Sequence, residues 1–454
     1  MKISVLSGSP KGNDSISLQY LYFIKKHNPD IDFSIFHIGS SINLIRNSEE
    51  KLFEISETIK NSDAIIWVMP VYEFSIPAQM KEFIDLISSS KLSHCFKNKK
   101  AASIFTSIHF YDTVAVDYIH AVSEDLNMNF FGAFSAEMHD LKKENGKNSI
   151  LEFWNDFYFN IKNNILIPKK FSKDDSYTTA FNLNSEINLP KKSDKRIVMI
   201  TTNESNSGNL KNMITHFTNS CSYNIDVLNL DKINIKGACL GCCRCSYDNT
   251  CIYIDELSVV YKEKIKNADA LIIASNISNR YFHHKIKLFW DRSFVFGHTP
   301  FIKNKIMAYI VSGNISQSYP LNYEIDARAS AMESYTLPII SDEFFTQDNL
   351  SAFINQSAEL FSKAILENKK TQKNFHYIAS HKIFRDFVHT ISGVFRADYI
   401  YYKKNKLFDF PNKNPSYMIF NFILRVILKI PGFRKEFQKR IKPSMVAQFK
   451  KIAE

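Results

Sequence analysis

Five of the seven cysteines lie between Cys239 and Cys251, in the run Cys239-Leu240-Gly241-Cys242-Cys243-Arg244-Cys245 and then Cys251. Taking Cys239, Cys242, Cys245 and Cys251 gives the spacing C-x2-C-x2-C-x5-C. Four thiolates this close can wrap one tetrahedral ion or one [4Fe–4S] cluster. A redox dithiol or a structural cysteine loop uses the same residues, and these readings stay open beside the metal ones. Cys243 is extra to the spacing. Cys95 and Cys221 stand alone and read as buried small hydrophobes.

A second chemical segment lies near the N-terminus, at Gly8-Ser9-Pro10-Lys11-Gly12-Asn13-Asp14-Ser15. It sits between a short apolar run and a helical pattern. Backbone N–H groups, a helix dipole, hydroxyls and a lysine there would suit a phosphate; an ordinary strand-to-helix turn has the same outline. It is neither a Walker A loop nor the dinucleotide G-x-G-x-x-G. A third segment, Pro70-Val71-Tyr72-Glu73-Phe74-Ser75-Ile76-Pro77, sets two aromatics between two prolines. It reads as a loop that presses on a planar heterocycle, or as a rigid turn with core aromatics.

Elements must hold these segments in place. Short β-rich runs at Lys2–Ser7, Phe33–Ile38, Ala64–Met69, Ala101–Ser107 and Phe130–Ser135 alternate with helical stretches such as Ser48–Asn61 and Ile76–Ser89. Such alternation predicts βαβ units on a parallel sheet. Residues 164–195 are polar, carry Pro168 and Pro190, and read as a linker. The alternation restarts at Arg196–Thr202, Asn224–Leu230, Asp269–Ser275, Lys305–Ser312 and Tyr335–Ile340. The expected architecture is α/β: two tandem doubly wound parallel sheets, over 1–163 and 196–370. A helical, basic extension follows over 371–454. Doubly wound sheets bind ligands at the C-terminal ends of their strands.

Composition narrows the function. The chain has 454 residues, 45% hydrophobic and 23% charged, which excludes disordered and fibrous classes. Its net charge of +11 is localised: 17 basic and 5 acidic residues lie beyond residue 370, leaving 40 and 41 before it. A neutral body argues against nucleic-acid binding. No apolar run reaches the roughly 20 residues of a membrane span, and the N-terminus shows no signal-peptide pattern. Clustered cysteines without an export signal point to a reducing, cytoplasmic compartment.

Gly8-Ser9-Pro10 after the first strand, with Pro70-Val71-Tyr72 and Met80-Lys81-x-Phe83-x-Asp85 after the third, resembles the flavodoxin-like NAD(P)H-dependent FMN reductases over roughly residues 1–140. The resemblance implies that Ser9, Lys11, Asn13 and Ser15 surround the FMN phosphate. It implies that Pro70, Val71, Tyr72 and Phe74 flank the isoalloxazine, and that Thr106, Ser107, Ile108 and His109 close the site. NAD(P)H is the implied donor, to a small-molecule or protein electron acceptor. The cysteine spacing is similar to the compact motif of iron–sulfur flavoproteins, although relatives described only as NAD(P)H-dependent oxidoreductases share it.

The second half resembles the same family with departures. Lys287-Leu288-Phe289-Trp290-Asp291-Arg292 echoes the Lys-x-Phe-x-Asp helix, and Ser207-Gly208-Asn209 the end of a phosphate loop. Thr202, Asn203, Glu204 and Ser205 stand where the family has Gly-Ser-Pro-Arg, placing a carboxylate beside the would-be phosphate. Asn276-Ile277-Ser278 replaces Pro-Val-Tyr. FMN is therefore expected in the first half, with the Cys239–Cys251 loop of the second half turned toward it. An electron-transfer module with little turnover is the competing reading.

In the tail, Tyr417–Ile430 is apolar apart from Asn421, Arg425 and Lys429 at i, i+4 and i+8, a helix with one narrow polar stripe. Packing on the body or on a sister subunit is the plain expectation. Peripheral contact with an anionic membrane or an acidic partner is the alternative, and homo-oligomers fit the family resemblance. On either view, removing residues 412–454 is expected to leave flavin bound. The stretch from Phe384-Arg385-Asp386 through Tyr401-Tyr402-Lys403-Lys404 to Asp409-Phe410-Pro411 resembles the extension of two-domain relatives.

Overall fold

Continuous apolar runs, not alternating ones, dominate the N-terminal strands, as burial of a sheet on both faces requires. In the computed structural model they form β1 (Lys2–Ser7), β2 (Asp32–Phe36), β3 (Ala64–Pro70), β4 (Lys100–Ser107) and β5 (Asn129–Glu137). All pair in parallel in the order β2-β1-β3-β4-β5, with Val5 opposite both Ile35 and Ile66. The structure describes residues 1–171, 177–183, 189–343, 345–408 and 415–453. Helices α1 (Ile16–His27), α2 (Ile38–Arg46), α3 (Glu49–Lys60), α4 (Ala78–Ser89), α5 (Asp112–Asp125) and α6 (Glu144–Lys162) connect and follow these strands. The predicted start of α3 is confirmed: Ser48 caps it by accepting from the Lys51 N–H.

A second parallel sheet has β6 (Lys192–Thr201), β7 (Tyr223–Asn229), β8 (Ala270–Ser278), β9 (Tyr281–Phe282), β10 (Ile306–Ser312), β11 (Tyr335–Thr336) and β12 (Ile340–Ser341). Its parallel order, β7-β6-β8-β10 and then β11 and β12, repeats that of the first sheet. The expected single strand at Tyr335–Ile340 is two short pieces. Pro338 lies between them and has no N–H for the ladder. The antiparallel β9 was not legible in the sequence. Its helices are α7 (Gly208–Ser220), α8 (Glu256–Val260), α9 (His284–Arg292), α10 (Tyr319–Ala331) and α11 (Gln347–Leu366). The extension adds α12 (Phe375–Thr390), α13 (Arg396–Lys404), α14 (Pro415–Ile427) and α15 (Pro431–Ala453). Asp409, Phe410 and Pro411 lie outside the described residues. Among the described residues no helix is long and apolar enough to cross a membrane.

The chain divides into two compact units. One comprises Met1–Lys173, Ala238–Cys243 and Val426–Glu454; the other comprises Asp174–Gly237 and Arg244–Arg425. Two segments thus join the first unit from far along the sequence. Phe449 and Ala453 of α15 enter its core beside Leu18, Leu21 and Trp154. The segment read as a linker is tied at both ends. The Glu124 carboxylate accepts from the N–H groups of Lys170 and Phe171, each at 2.7 Å. Within the second unit, Thr179 N donates to Asp342 O, and Phe181 is buried in the core.

Candidate cofactor site

The Lys-x-Phe-x-Asp pattern has a simple local cause. Lys81 and Asp85 are one helical turn apart and form an ion pair, with Lys81 fully buried. Lys287 and Asp291 repeat that pair in the second unit, both fully buried. Arg46 of α2 pairs in fork fashion with the Glu82 carboxylate of α4, which holds the guanidinium above its ordinary pKa. These pairs fix the helices that frame the C-terminal edge of β1 and β3.

At that edge β1 ends in Ser7, and Gly8 N donates to Val68 O at 2.9 Å. A side chain at Gly8 would meet Met80 and Met69 at 3.0–3.1 Å, so the turn runs close against α4 and β3. The chain passes through a single 3-10 turn at Gly12–Asp14, with Gly12 at φ +55°, into α1. Ser9, Lys11, Asn13 and Ser15 therefore share one turn. Ser9 and Ser15 are buried, and Ser9 Oγ accepts from Lys11 N at 3.3 Å. Asn13 Oδ1 accepts from Tyr22 at 2.8 Å, which ties the exposed end of the turn back to α1. Ser15 stands at the N-cap without a side-chain capping bond. The first N–H groups of α1 have no partner inside the helix, which suits an anion.

The loop after β3 is held in an unusual backbone. Tyr72 and Ser75 exchange backbone hydrogen bonds at 2.8 and 3.0 Å, and between them Glu73 and Phe74 have φ of +41° and +70°. Two-residue turns of this kind normally use Asn-Gly. Holding bulkier residues there costs about 1–3 kcal/mol each. Phe74 is buried against Phe110 and Tyr111, with ring centroids 5.0 and 5.2 Å away, so it supports the turn. Pro70 and Val71 are half-buried, and Val71 N donates to Thr106 O at 3.2 Å.

The end of β4 and the loop after it carry the remaining expected residues. Thr106 Oγ1 and Ser17 Oγ lie 2.6 Å apart, which links this loop to α1. Ser107 Oγ accepts from His109 N at 2.8 Å. His109 is exposed at φ +59°, with Nδ1 2.8 Å from Asp112 Oδ2. All three loops thus belong to one sheet edge.

Several residues at this edge were missed by sequence reasoning. Gly39 at the start of α2 lies against the phosphate turn: an added Cβ would come 2.3 Å from Gly8 O. His37, at the end of β2, is kept below its ordinary pKa by burial. Gln79 Nε2 donates to Cys239 O at 3.0 Å. A Cβ on Gly241, at φ +59°, would fall 1.9 Å from Tyr72 Oη and 3.1 Å from Lys11 Cε. The segment Ala238–Cys243 therefore lies on the aromatic loop and the phosphate turn of its own unit. Glycine scarcity was the available signal for Gly39 and Gly241; nothing in the sequence pairs Gln79 with Cys239.

The four-thiolate cage expected from the cysteine spacing does not assemble. Among the described residues, no three His, Cys, Asp or Glu side chains are grouped as a metal site requires. Local backbone gives the reason. Cys243 adopts φ +55° and its thiol approaches Gly241 O, while Arg244–Ser246 form a 3-10 turn and Cys245 Sγ donates to Phe294 O at 3.3 Å. Cys239 and Cys242 belong to the first unit, Cys245 and Cys251 to the second. The described residues thus supply no metal site for a [4Fe–4S] cluster or a zinc ion.

FMN passes the equivalent test. Among the described residues, Ser7 Oγ and Ser75 Oγ are buried at this edge without a hydrogen-bond partner. Buried hydroxyls left this way are costly, and a polar ligand relieves them. Residues 1–137 match the family of NADPH-dependent FMN reductases. The match covers under a third of the chain. The match supports a flavin oxidoreductase using FMN and NAD(P)H. Among solved structures, the chain is similar to the flavoenzyme NAD(P)H:(acceptor) oxidoreductase FerB from Paracoccus denitrificans. Identity is 21%, over 36% of this chain and 97% of that one, with a TM-score of 0.31. An NAD(P)H:quinone oxidoreductase from Methanothermobacter marburgensis gives 13%, 36%, 97% and 0.29 respectively. No curated protein matches.

The second unit fills the corresponding edge with its own groups. Asn209, at the phosphate-loop position, donates to Thr179 O and Asp342 Oδ2 and accepts from Phe181 N. Asn203 N donates to Asp231 Oδ2 at 2.7 Å, and Asp231 also pairs with Lys285. Placing a carboxylate in the first unit's turn, as Ser9→Asp, is expected to weaken FMN binding at least about tenfold, through like charge beside phosphate. Ser205→Asp should leave it unchanged. Titration of apoprotein with FMN, followed by flavin fluorescence, measures both; the reverse pattern would move the cofactor to the second unit.

Proposed function

We propose that this chain is an FMN-dependent NAD(P)H oxidoreductase with one flavin, held by the first unit, that passes electrons from a nicotinamide to an acceptor. FMN supplies the hydride and electron chemistry when bound. Ser9, Lys11 and Ser15, with the start of α1, hold its phosphate. Pro70, Val71 and Tyr72 set the position of its ring, and Ala238–Cys243 limits water and acceptor access at Tyr72. The observation that carries the reading is the contrast between the two sheet edges. Residues 1–137, which form the first, match the NADPH-dependent FMN reductases, whereas the second has its cradle asparagine engaged by Asp342 and the chain at Thr179–Phe181.

Anaerobic absorbance spectroscopy tests it. One flavin per chain should be present, and NADH or NADPH should bleach it without a further protein. A flavin that nicotinamides leave oxidised would instead make the chain an electron carrier. Iron and sulfide analysis of the same sample should find neither at stoichiometric level.

A further inference from the structure

The polar stripe of α14 is turned inward. Asn421 is 2% exposed and binds the chain at the end of α12: its Oδ1 accepts from Gly393 N at 3.0 Å and its Nδ2 donates to Thr390 O. Arg425 donates to Ser392 Oγ at 2.7 Å and lies over the Tyr399 ring of α13 at 4.2 Å. Polar groups therefore hold the helix to the protein, and its apolar face is turned outward. Tyr417, Met418, Ile419, Phe420, Phe422 and Ile423 are each about half exposed or more, with Phe422 at 66%. A contiguous apolar face of this kind on a protein surface marks a binding surface.

Charge selects the occupant. Lys403, Lys404 and Lys406 are exposed at the end of α13, against which Arg425 seats the helix. In the sequence the helix is followed closely by Lys429. Thirteen residues make a helix about 20 Å long, too short to cross a bilayer. Outward aromatic and aliphatic side chains with cationic flanks are the composition of a helix that lies in a membrane interface. A two-fold contact with a second copy would bring two basic surfaces together. We propose that α14 attaches this protein to the surface of an anionic lipid bilayer, lying in its headgroup layer without spanning it.

Co-sedimentation of the full-length, FMN-loaded protein with vesicles tests this. Binding is expected with phosphatidylglycerol–phosphatidylcholine vesicles and should be at least about tenfold weaker with phosphatidylcholine alone, since each lysine near an anionic surface contributes severalfold. Raising salt from about 0.1 M to about 1 M should weaken it by shortening the Debye length from about 10 to about 3 Å. The triple change F420S/F422S/I423S should reduce binding more than about tenfold while FMN stays bound, as those side chains point away from the protein. K403E/K404E, which leaves the apolar face intact, should also weaken it. Failure to bind anionic vesicles, or equal binding by the triple variant, overturns the proposal. So does a dimer seen by light scattering that the triple variant dissolves while vesicle binding is absent, which would assign the face to a second copy.

Discussion

Gly39→Ala is expected to cost the first unit its flavin. The added methyl would lie 2.3 Å from Gly8 O and 2.6 Å from the Ser9 carbonyl carbon, both backbone atoms of the phosphate turn. Helix α2 cannot retreat easily: Ile38, Ile42 and Ile45 are buried, and Arg46 is forked to Glu82 of α4. The phosphate turn must move instead. Overpacking at a close contact costs about 1–3 kcal/mol. Charged to the binding-competent turn, that is a loss of FMN affinity of about tenfold to a hundredfold. Fluorescence titration of apoprotein measures it, with far-UV circular dichroism confirming that the sheet is intact. Unchanged FMN affinity in Gly39→Ala would show that the turn does not depend on the fit of α2.

Removal of α15 should unfold or strip the first unit, against the expectation that a basic tail is dispensable. Val446 and Phe449 are fully buried and Ala453 nearly so; the Phe449 ring lies 5.9 Å from that of His139, with the Lys142 ammonium over it. Each large apolar side chain buried this way is worth about 1.5–3 kcal/mol, in a protein whose whole stability is about 5–15 kcal/mol. Lys450 reaches Asp14 at 2.7 Å, neutralising the carboxylate in the phosphate turn. A chain ending at Ile430 should therefore lose FMN and melt at lower temperature. Phe449→Ala alone should destabilise by about 3–5 kcal/mol. Lys450→Ala should lower FMN affinity modestly and leave the melting temperature nearly unchanged. Full FMN occupancy and an unaltered melting temperature in the truncated chain would refute this role for α15.

The sequence by itself settled what depends on local order. Apolar runs separated by helical patterns determined both parallel sheets, because strand and helix periodicity are properties of neighbouring residues. Gly8 to Ser15 could be placed at the end of β1 for the same reason, and Lys81 and Asp85 on one helix face. What it could not decide were relations between distant segments. The eleven expected site residues sit at the strand ends and loops named from sequence, but Gly39, Gln79 and Gly241 matter through close contacts and a hydrogen bond to groups far from them in the chain. The cysteine spacing permitted a four-thiolate cage, yet among the described residues no three metal-ligating side chains are grouped as a site. In α14 the spacing of Asn421 and Arg425 marked a polar stripe but not the direction in which it faces. A helical stripe states that two faces differ, whereas which face meets the protein is set by the partners available. Here those partners were Gly393 N, Thr390 O and Ser392 Oγ, polar groups that only the folded chain brings together.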